Sequence, residues 1–579
     1  MSVTGRRWRL RGRFPEGALG GAPYPALIRH LLWHRGVRTA TEASRFMEGT
    51  ATGLGEYDPM LLPGMEEALA RLRQAIRGGE AVAVFGDFDV DGVTASAVLT
   101  QGLRQLGGKV VPYIPDRFAE GYGLSLGALD TLQQAGLRLM VTVDCGTSSL
   151  REIEYAGRLG MEVVVLDHHT VLPQLPAAVA IVNPKRPDSR YPETELASVG
   201  LAYKLVGALY ESLGQAWEPR RYLDLVALGT VADLVPLQNE NRWLVKRGLA
   251  AMAETERPGL RALMEAAGIA PGLVDTEAIA FALGPRLNAA GRLAHARLAL
   301  DLLLEEEEEE AMQGALELTA LNQERQRQTW VALELAHGLM AQQDPLCPLI
   351  FIGHQEISAG IVGLVAGKLA EERYRPAAVY EAGQEQSRGS CRSIPEFDIT
   401  RALRNCSQLM VRFGGHRAAA GFTVENAKLP ALREALLRQA EEGLTGVELT
   451  PTVDIDAAVP LHRLTGPVIQ WLLALAPFGQ GNPEPTFLSR GVEVVEARTI
   501  GGEGQHLRLK LRDGQVTWPA IAFGLGPQSQ GGLNLQPGQR LDVVYSFSAE
   551  RMGQWTPSMG LGQTLELRVK DIAPAGLGA

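Results

Sequence analysis

The 579-residue chain is 46% hydrophobic and 21% charged, which supplies core material for roughly three to four ordinary domains. No apolar run approaches the ~20 residues of a membrane span, and the N-terminal MSVTGRRWRLRGRF has neither the apolar core of a secretory signal nor the serine content of a transit peptide. The four cysteines, Cys145, Cys347, Cys391 and Cys406, are far apart with no CxxC pair, which argues against a zinc site or a disulfide framework and suits a reducing cytoplasm. The net charge of −10 excludes little, since screening confines each patch to about 10 Å and a globally acidic protein can carry a basic channel.

Residues 1–60 mix arginines, Gly/Pro turns and a helix near Ala26–Trp33, and read as a lead-in that packs on a larger domain. Residues 61–297 alternate strand and helix. Strands are predicted at Ala81–Phe85, Val110–Ile114, Leu139–Val143, Glu162–Leu166 and Ala180–Val182. Helices are predicted at Val93–Leu106, Ser125–Ala135 and Leu150–Leu159, giving an α/β parallel sheet covered by helices. Residues 298–342 are charged, helical and free of proline, and their Glu305–Glu310 run reads as a solvated helix face. A second α/β unit spans 343–447, with strands at Leu349–Ile352 and Ala377–Tyr380 around a helix at Gly360–Glu372. From 448 to 579 short alternating strands, Val492–Ala497, His506–Arg512, Leu541–Phe547 and Thr564–Val569, predict a small β-barrel.

Chemistry concentrates at the strand ends of the first sheet. Ala81–Phe85 runs into Asp87, Asp89 and Asp91 within GDFDVDG; Leu139–Val143 ends in Asp144; Glu162–Leu166 ends in Asp167-His168-His169. Adjacent parallel strands bring their carboxyl ends to one rim, and Asp233 in ALGTVADLVPL adds a further acid. Carboxylates so crowded repel one another unless a cation lies between them. A mixed carboxylate–imidazole set without thiolate suits two divalent cations, Mn²⁺ preferred and Mg²⁺ tolerated. Two such ions about 3.5–4 Å apart, bridged by an aspartate, can hold a hydroxide and clamp a phosphate for in-line displacement. Phosphoester hydrolysis is the reaction class this composition implies.

The segments GDFDVDG, VTVDCG and Asp167-His168-His169 resemble the DHH phosphoesterases. IPDRFAEGYGL (114–124), ALGTVADLVPL (227–237), GPRLNAAGRL (284–293), RGSCRSI (388–394), RFGGHRAAAGF (412–422) and LAPFGQGNPEPTF (475–487) resemble the RecJ-type single-strand-specific 5′ exonucleases within that superfamily. The resemblance implies a DHH catalytic domain, a helical connector, a DHH-associated domain and an OB-fold that closes a ring. It implies Asp87, Asp89, Asp91, Asp144, His169 and Asp233 as metal ligands, with the bridging aspartate open between Asp87 and Asp89. His168 would contact the scissile phosphate or back the second metal, and His168, His169, Asp167 and Asp144 form the expected catalytic group. Arg117, Arg286, Asn288, Arg292, Arg388, Ser390, Arg392 and His416 are the implied substrate contacts. Among them Ser390 and Arg392 offer a hydroxyl and a forked guanidinium to a terminal 5′-phosphate, while Gly414–His416 resembles a phosphate-contacting turn.

In the barrel, His506–Arg512 alternates Leu507, Leu509 and Leu511 with Arg508, Lys510 and Arg512, a basic strand face suited to a single-stranded backbone. Trp518 and Phe523 are candidates for base stacking, although strand aromatics more often fill cores. The expected activity is metal-dependent 5′-to-3′ degradation of single-stranded DNA to nucleoside 5′-monophosphates in repair and recombination. Its expected setting is the cytoplasm, as a monomer away from membranes, with a single-strand-binding protein and a helicase as partners. Two rivals compete. A small-substrate phosphoesterase would not need the barrel, and a silent DNA-binding relative should have lost its acids and histidines. Some relatives carry a further C-terminal domain, whereas this sequence ends in AGLGA soon after the barrel, so docking through such a domain is not expected of these residues.

Overall fold

The first strand, β1 (Arg7–Leu10), pairs in parallel with β12 (Thr452–Ile455), so the start of the chain is tied to a segment more than 400 residues away. This computed structural model describes residues 2–48, 56–342, 344, 347–464, 466–502, 504–527, 532–550 and 564–576. They form two units: Met1–Pro285 with Ala299–Ala315 and Thr452–Ala579, and Arg286–Leu298 with Leu316–Pro451.

In the first unit, β2 (Ala81–Gly86), β3 (Lys109–Tyr113), β4 (Leu139–Val143), β5 (Glu162–Leu166) and β6 (Ala180–Val182) form a sheet of order β3-β2-β4-β5-β6. All its pairings are parallel. The continuous apolar runs that predicted these strands are what burial on both faces demands, and β4 is buried throughout. Gly86 pairs with Val143 and Val143 with Leu166, so the carboxyl ends of β2, β4 and β5 stand level. Because β3 lies on one side of β2 and β4 on the other, the chain changes direction at β2. Such a switch point opens a crevice at the carboxyl edge.

Helix Val90–Gln105, which follows β2, is buried along almost its whole length. It packs on the sheet and against helices Ser198–Ser212 and Arg220–Ala232. Close packing there uses glycines: a Cβ on Gly102 would lie 2.5 Å from Val206 Cγ1.

The remainder of this unit is a barrel. β13 (Ala457–Ala458), β14 (Phe487–Ile500), β15 (His506–Asp513), β16 (Val516–Ala522), β17 (Arg540–Glu550) and β18 (Thr564–Pro574) run in the order β13-β14-β15-β16-β18-β17, and β14 closes the ring onto β17. Irregular register in β14 at Ser489/Val492 and Val494/Glu496 supplies the bends that closure needs. The sequence missed β16 because Pro519 sits in its middle, a residue that demotes a strand reading. The lead-in packs here: Ile28, Leu31 and Leu32 of helix Ala26–His34 share one core with barrel residues Leu507, Leu509 and Tyr545.

The predicted connector 298–342 is two helices, Arg297–Leu304 and Glu308–Met340, with a break inside the glutamate run. The Glu305 carboxylate accepts the N–H groups of Glu306 and Glu307, and Glu308, Glu309 and Glu310 occupy the first turn of the longer helix. The run is therefore placed where negative charge meets the positive end of a helix dipole, a role beyond that of a solvated face.

In the second unit β7 (Ile350–His354), β8 (Ala377–Glu381), β9 (Gln386–Arg392), β10 (Arg412–His416) and β11 (Ala419–Glu425) take the order β10-β11-β9-β8-β7. Only β7 and β8 pair in parallel. Val365, Ala366 and Leu369 of helix Val362–Arg373 belong to one of its cores, and Leu432, Leu436 and Ala440 of helix Leu429–Leu444 to the other.

LAPFGQGNPEPTF holds the barrel to the parallel-sheet region of the same unit. Asn482 is fully buried; its Nδ2 donates to Leu475 O (2.9 Å) and Pro477 O (2.8 Å), and its Oδ1 accepts from Arg35 Nε (2.7 Å). The Arg242 guanidinium donates to Ala476 O (2.8 Å) and Pro477 O (3.1 Å). Replacing Asn482 by Ala removes the side-chain donor to Leu475 O, one of two donors to Pro477 O and one of three acceptors of Arg35, so Asn482→Ala should cost on the order of 2 kcal/mol in urea unfolding. A loss under about 0.5 kcal/mol, the range of a neutral surface change, would refute this role.

Candidate metal centre

The crevice at the carboxyl edge of β2 and β4 collects the acids read from the sequence. Three overlapping sets of donor atoms each fall within 4.8 Å of one another: Asp87, Asp89 and Asp144; Asp91, His168 and Asp233; and Asp144, His168 and His169. Asp144 is common to two sets, and it adopts a left-handed conformation (φ 64°) directly after β4. That is a strained position that an aspartate tolerates better than most residues.

Glycines make this convergence possible. A Cβ on Gly92 would lie 2.5 Å from Asp87 O, and one on Gly229 would lie 2.3 Å from Thr94 Oγ1 and 3.1 Å from Asp91 Oδ1.

Each acid is held differently. Asp89 caps helix Val90–Gln105 by accepting from Gly92 N (3.1 Å). Asp91 receives a fork of two backbone donors from the start of helix Ser198–Ser212, Ser198 N at 2.7 Å and Val199 N at 2.9 Å. Ser198 Oγ also donates to Asp144 Oδ1 at 3.0 Å. Asp167 accepts from Thr147 N (2.9 Å) and His169 N (3.1 Å), and its Oδ1 lies 2.8 Å from His169 Nδ1.

Burial sets the electrostatics. It raises the pKa of Asp87 and Asp144 well above the carboxylate range, with Asp89 adding repulsion to both. Burial, and then Asp89, takes Asp91 to about 7; burial, and then Asp91, takes Asp233 to about 9. Although burial works the other way for Asp167, its bond to His169 holds it low.

The adjacent imidazoles are pushed apart. Burial and the neighbouring His169 lower His168 to about 3, so it stays neutral. Burial opposes a charge on His169, yet the hydrogen bond to Asp167, followed by the fields of Asp167, Asp89 and Asp87, raises it above the ordinary histidine value.

His168 Nε2 stands 3.3 Å from Asp144 Oδ1, 3.5 Å from Asp233 Oδ2 and 3.9 Å from Asp91 Oδ2. Both its ring nitrogens, and Asp87 Oδ1, are buried without a hydrogen-bond partner. Orphaned hard donors beside carboxylates too crowded to ionise together are what a divalent cation satisfies, so the donor set fits such ions. His168 is the imidazole embedded among the carboxylates, whereas His169, which shares a donor set with Asp144 and His168, is also tied to Asp167 and has its side chain 45% exposed.

The remaining predicted contacts separate. Arg117 belongs to this rim: its guanidinium lies 4.7 Å over the Phe88 ring, and Asp87 and Asp89 are close enough to favour its charge against burial. Tyr122, within IPDRFAEGYGL, places its hydroxyl 3.3 Å from Asp144 O and 3.3 Å from His169 Nε2.

In the second unit, Arg392 donates to Ser390 Oγ (2.8 Å) along β9, so RGSCR is strand, with Arg388 on the same strand. Gly414–His416 ends β10 rather than forming a turn, with Gly415 at φ 147° and His416 exposed. Arg286, Asn288 and Arg292 lie on helix Gly284–Leu293; Arg286 bonds Thr319 and Arg292 bonds Gly360 O.

In the barrel, Lys510 pairs with Glu496 (2.7 Å), Arg512 with Glu493 (2.6 Å) and Arg508 with Glu566 (3.6 Å), which balances a face that the strand alone presents as basic. Trp518 packs against the barrel core, while Phe523 is 53% exposed beside His506. Ser198 and Val199 were missed because their donors are a helix start, and ASVG carries no chemical signature.

A parallel sheet with aspartates and a histidine pair at its switch point defines a DHH-type phosphoesterase. The models of the DHH family N-terminal domain, the DHHA1 domain and the RecJ OB domain match residues 81–230, 346–442 and 455–559. The chain is 36% identical to the single-stranded-DNA-specific exonuclease RecJ of Bacillus subtilis over 549 residues, 94% of this chain and 68% of that protein. The crystal structure of Thermus thermophilus RecJ in complex with Mn²⁺ superposes with a TM-score of 0.82 at 32% identity, covering 98% of this chain and 79% of that one. The Mg²⁺ complex gives a TM-score of 0.76 at 31% identity over 98% and 78%. The chain belongs to the RecJ family.

The raised carboxyls set a pH test. Unfolded carboxyls are ionised above pH ~4, so a folded carboxyl that holds its proton higher stabilises the fold at low pH and loses that contribution as pH rises through its own value. From pH 6.5 to 9, Asp91 and Asp233 titrate, the raised His169 acts in the same direction, and the depressed His168 has already finished. Stability in EDTA should therefore fall across this window, and the gain on adding Mg²⁺ should grow with pH. Calorimetric unfolding with and without Mg²⁺ checks this; an equal gain at both ends would count against the arrangement.

Proposed function

We propose that this chain is a divalent-metal-dependent exonuclease that degrades single-stranded DNA from its 5′ end and releases nucleoside 5′-monophosphates. The observation that carries the reading is the rim of Asp87, Asp89, Asp91, Asp144, His168 and Asp233, whose donors converge while His168 and Asp87 keep orphaned atoms. Bound there, divalent cations acidify coordinated water and offset phosphate charge.

The chain's own groups then have distinct tasks. Asp144, common to two donor sets, would be among the residues that hold such cations, as would His168. Asp91 and Asp144 are pre-oriented by Ser198 and Val199, so little reorganisation is needed when charge develops. Neutral His168 offers a lone pair, and His169, steered by Asp167 and with its proton affinity raised by that bond, can donate to a phosphate oxygen. Arg117 adds a fixed positive charge beside the same acids, while Ser390 and Arg392 suit a terminal phosphate.

No helix among the described residues is long and apolar enough to cross a membrane. A cytoplasmic setting, a monomeric chain, and a single-strand-binding protein and a helicase that present the strand extend the same reading.

End-labelled single- and double-stranded DNA and RNA, incubated with Mn²⁺, Mg²⁺ or EDTA, form the direct assay. Single-stranded DNA should be shortened from the 5′ end with either metal and remain intact in EDTA. Asp144→Ala should lower the rate by at least about 10³-fold while strand binding persists; survival of activity would refute the assigned centre. Arg392→Ala should weaken 5′-phosphorylated substrates roughly tenfold more than 5′-hydroxyl ones, and equal losses on both ends would remove Arg392 from the terminal-phosphate contact.

A further inference from the structure

Arg11, Arg35, Arg242 and Lys246 gather where the N-terminal segment, the loop around Asn482 and the helix Asn239–Met252 meet. Arg35 donates to Leu31 O (3.0 Å), Pro483 O (2.7 Å) and the Asn482 amide oxygen. Arg242 donates to Phe46 O, Pro477 O and Ala476 O and lies 4.0 Å over the Phe46 ring. Lys246 donates to Met47 O. Among the described residues, none of these three makes an ion pair with a carboxylate. Their mutual proximity is felt: burial depresses Arg242 to about 10 with Arg35 adding repulsion, and burial, then Arg242, depresses Lys246.

Beside them lies a cavity of about 140 Å³ lined by Arg11, His34, Arg35, Gln238, Asp456 and the turn at Gly481 and Pro483. Asp456 is its only acidic lining residue among the described residues, and its Oδ2 already accepts from Thr486 N (2.9 Å). Arg11 pairs with Asp456 through its buried Nε, 3.3 Å from Asp456 Oδ1 but without hydrogen-bond geometry. Lys570 stands near Asp456 with Glu484 as its other acid, so that pair adds no net charge. His34 is bonded through Nε2 to Gly12 O.

A guanidinium carries five N–H donors, and Arg35 spends three of them on its protein partners. The rest, with the Nη groups of Arg11, are available to an acceptor in the cavity. A joint whose only task was to hold three segments together could use neutral donors, because burying cations without acids is costly. Two guanidiniums, Arg11 and Arg35, face one carboxylate, Asp456, so an excess of positive charge lines an enterable polar cavity; that matches an anion, and forked guanidiniums match the oxygens of a phosphate group.

We infer that the Arg11–Arg35–Gln238 cavity is a phosphate-binding pocket separate from the metal rim, filled by a backbone phosphodiester of the bound strand or by the phosphate of a released nucleotide. Both sources rest on the function proposed above, whereas a titration with inorganic phosphate tests the pocket without it. Arg11 is the residue to change, because it takes no part in the bonds around Asn482.

The full-length chain in EDTA would be titrated with oligothymidylate across a salt series by fluorescence anisotropy, and with inorganic phosphate by calorimetry. Wild type, Arg11→Ala, Arg11→Glu and Arg11→Lys would be compared, with unfolding midpoints confirming that each is folded. If a strand phosphodiester occupies the pocket, Arg11→Ala reduces the slope of log K against log salt by about 0.7, Arg11→Glu weakens binding further, and Arg11→Lys restores most of it. If a released phosphate is the occupant, the slope holds and the calorimetric signal falls instead. Unchanged salt slope and unchanged phosphate binding in folded Arg11→Ala and Arg11→Glu overturn the pocket. Failure of the wild-type chain to bind any oligonucleotide counts against the single-strand reading alone, and the phosphate titration then decides the pocket by itself.

Discussion

Crowding of buried carboxyl groups at one sheet edge is the constraint from which the rest of the catalytic domain follows. Loss of water and mutual repulsion drive Asp87, Asp91, Asp144 and Asp233 towards their protonated forms. The fold relieves this strain only in part. Asp91 has its backbone fork, Asp89 its Gly92 donor and Asp167 its imidazole, whereas Asp87 Oδ1 and both nitrogens of His168 have no protein partner. Fixed acids beside orphaned donors divide the work between protein and cation: the protein fixes direction, and the remaining demand for positive charge is left to an ion. Level parallel strand ends and the absence of a Cβ at Gly92 and Gly229 are the conditions under which so much charge comes within 4.8 Å.

This centre was legible because its signals are local. Strands buried on both faces read as uninterrupted apolar runs, and an acid directly after such a run has one place to go. What could not be read depends on contacts remote in sequence. The pairing of β1 with β12 joins residues 7–10 to 452–455, and no local pattern announces it. Ser198 and Val199 act through backbone and hydroxyl donors set by a helix start. The order of the two imidazoles is also hidden in the tripeptide, since which ring turns inward is decided by the bond of His169 to Asp167 and by the burial of His168. The glutamate run looked like solvated surface because its composition is that of one; only the helix break reveals its position at a dipole end.

Charge was the least legible property, and the reason bears on how a polyanion would be held. Arg508, Lys510 and Arg512 form the most obviously basic strand, but Glu493, Glu496 and Glu566, which stand against them, come from neighbouring strands and could not be counted in advance. An ion pair at 2.6–2.7 Å presents to a distant phosphate a dipole more than a charge. Arg11, Arg35, Arg242 and Lys246 are scattered over more than 230 positions and form no basic motif, yet they meet at one junction where most of their acceptors are carbonyl oxygens. Carbonyls satisfy donors without cancelling charge, and among the described residues Arg11 alone of these four pairs with an acid, Asp456, in a chain whose net charge is −10. Since screening limits each patch to about 10 Å, uncompensated cations in space, rather than lysines and arginines in a row, decide which surfaces of an acidic nuclease attract a phosphate backbone.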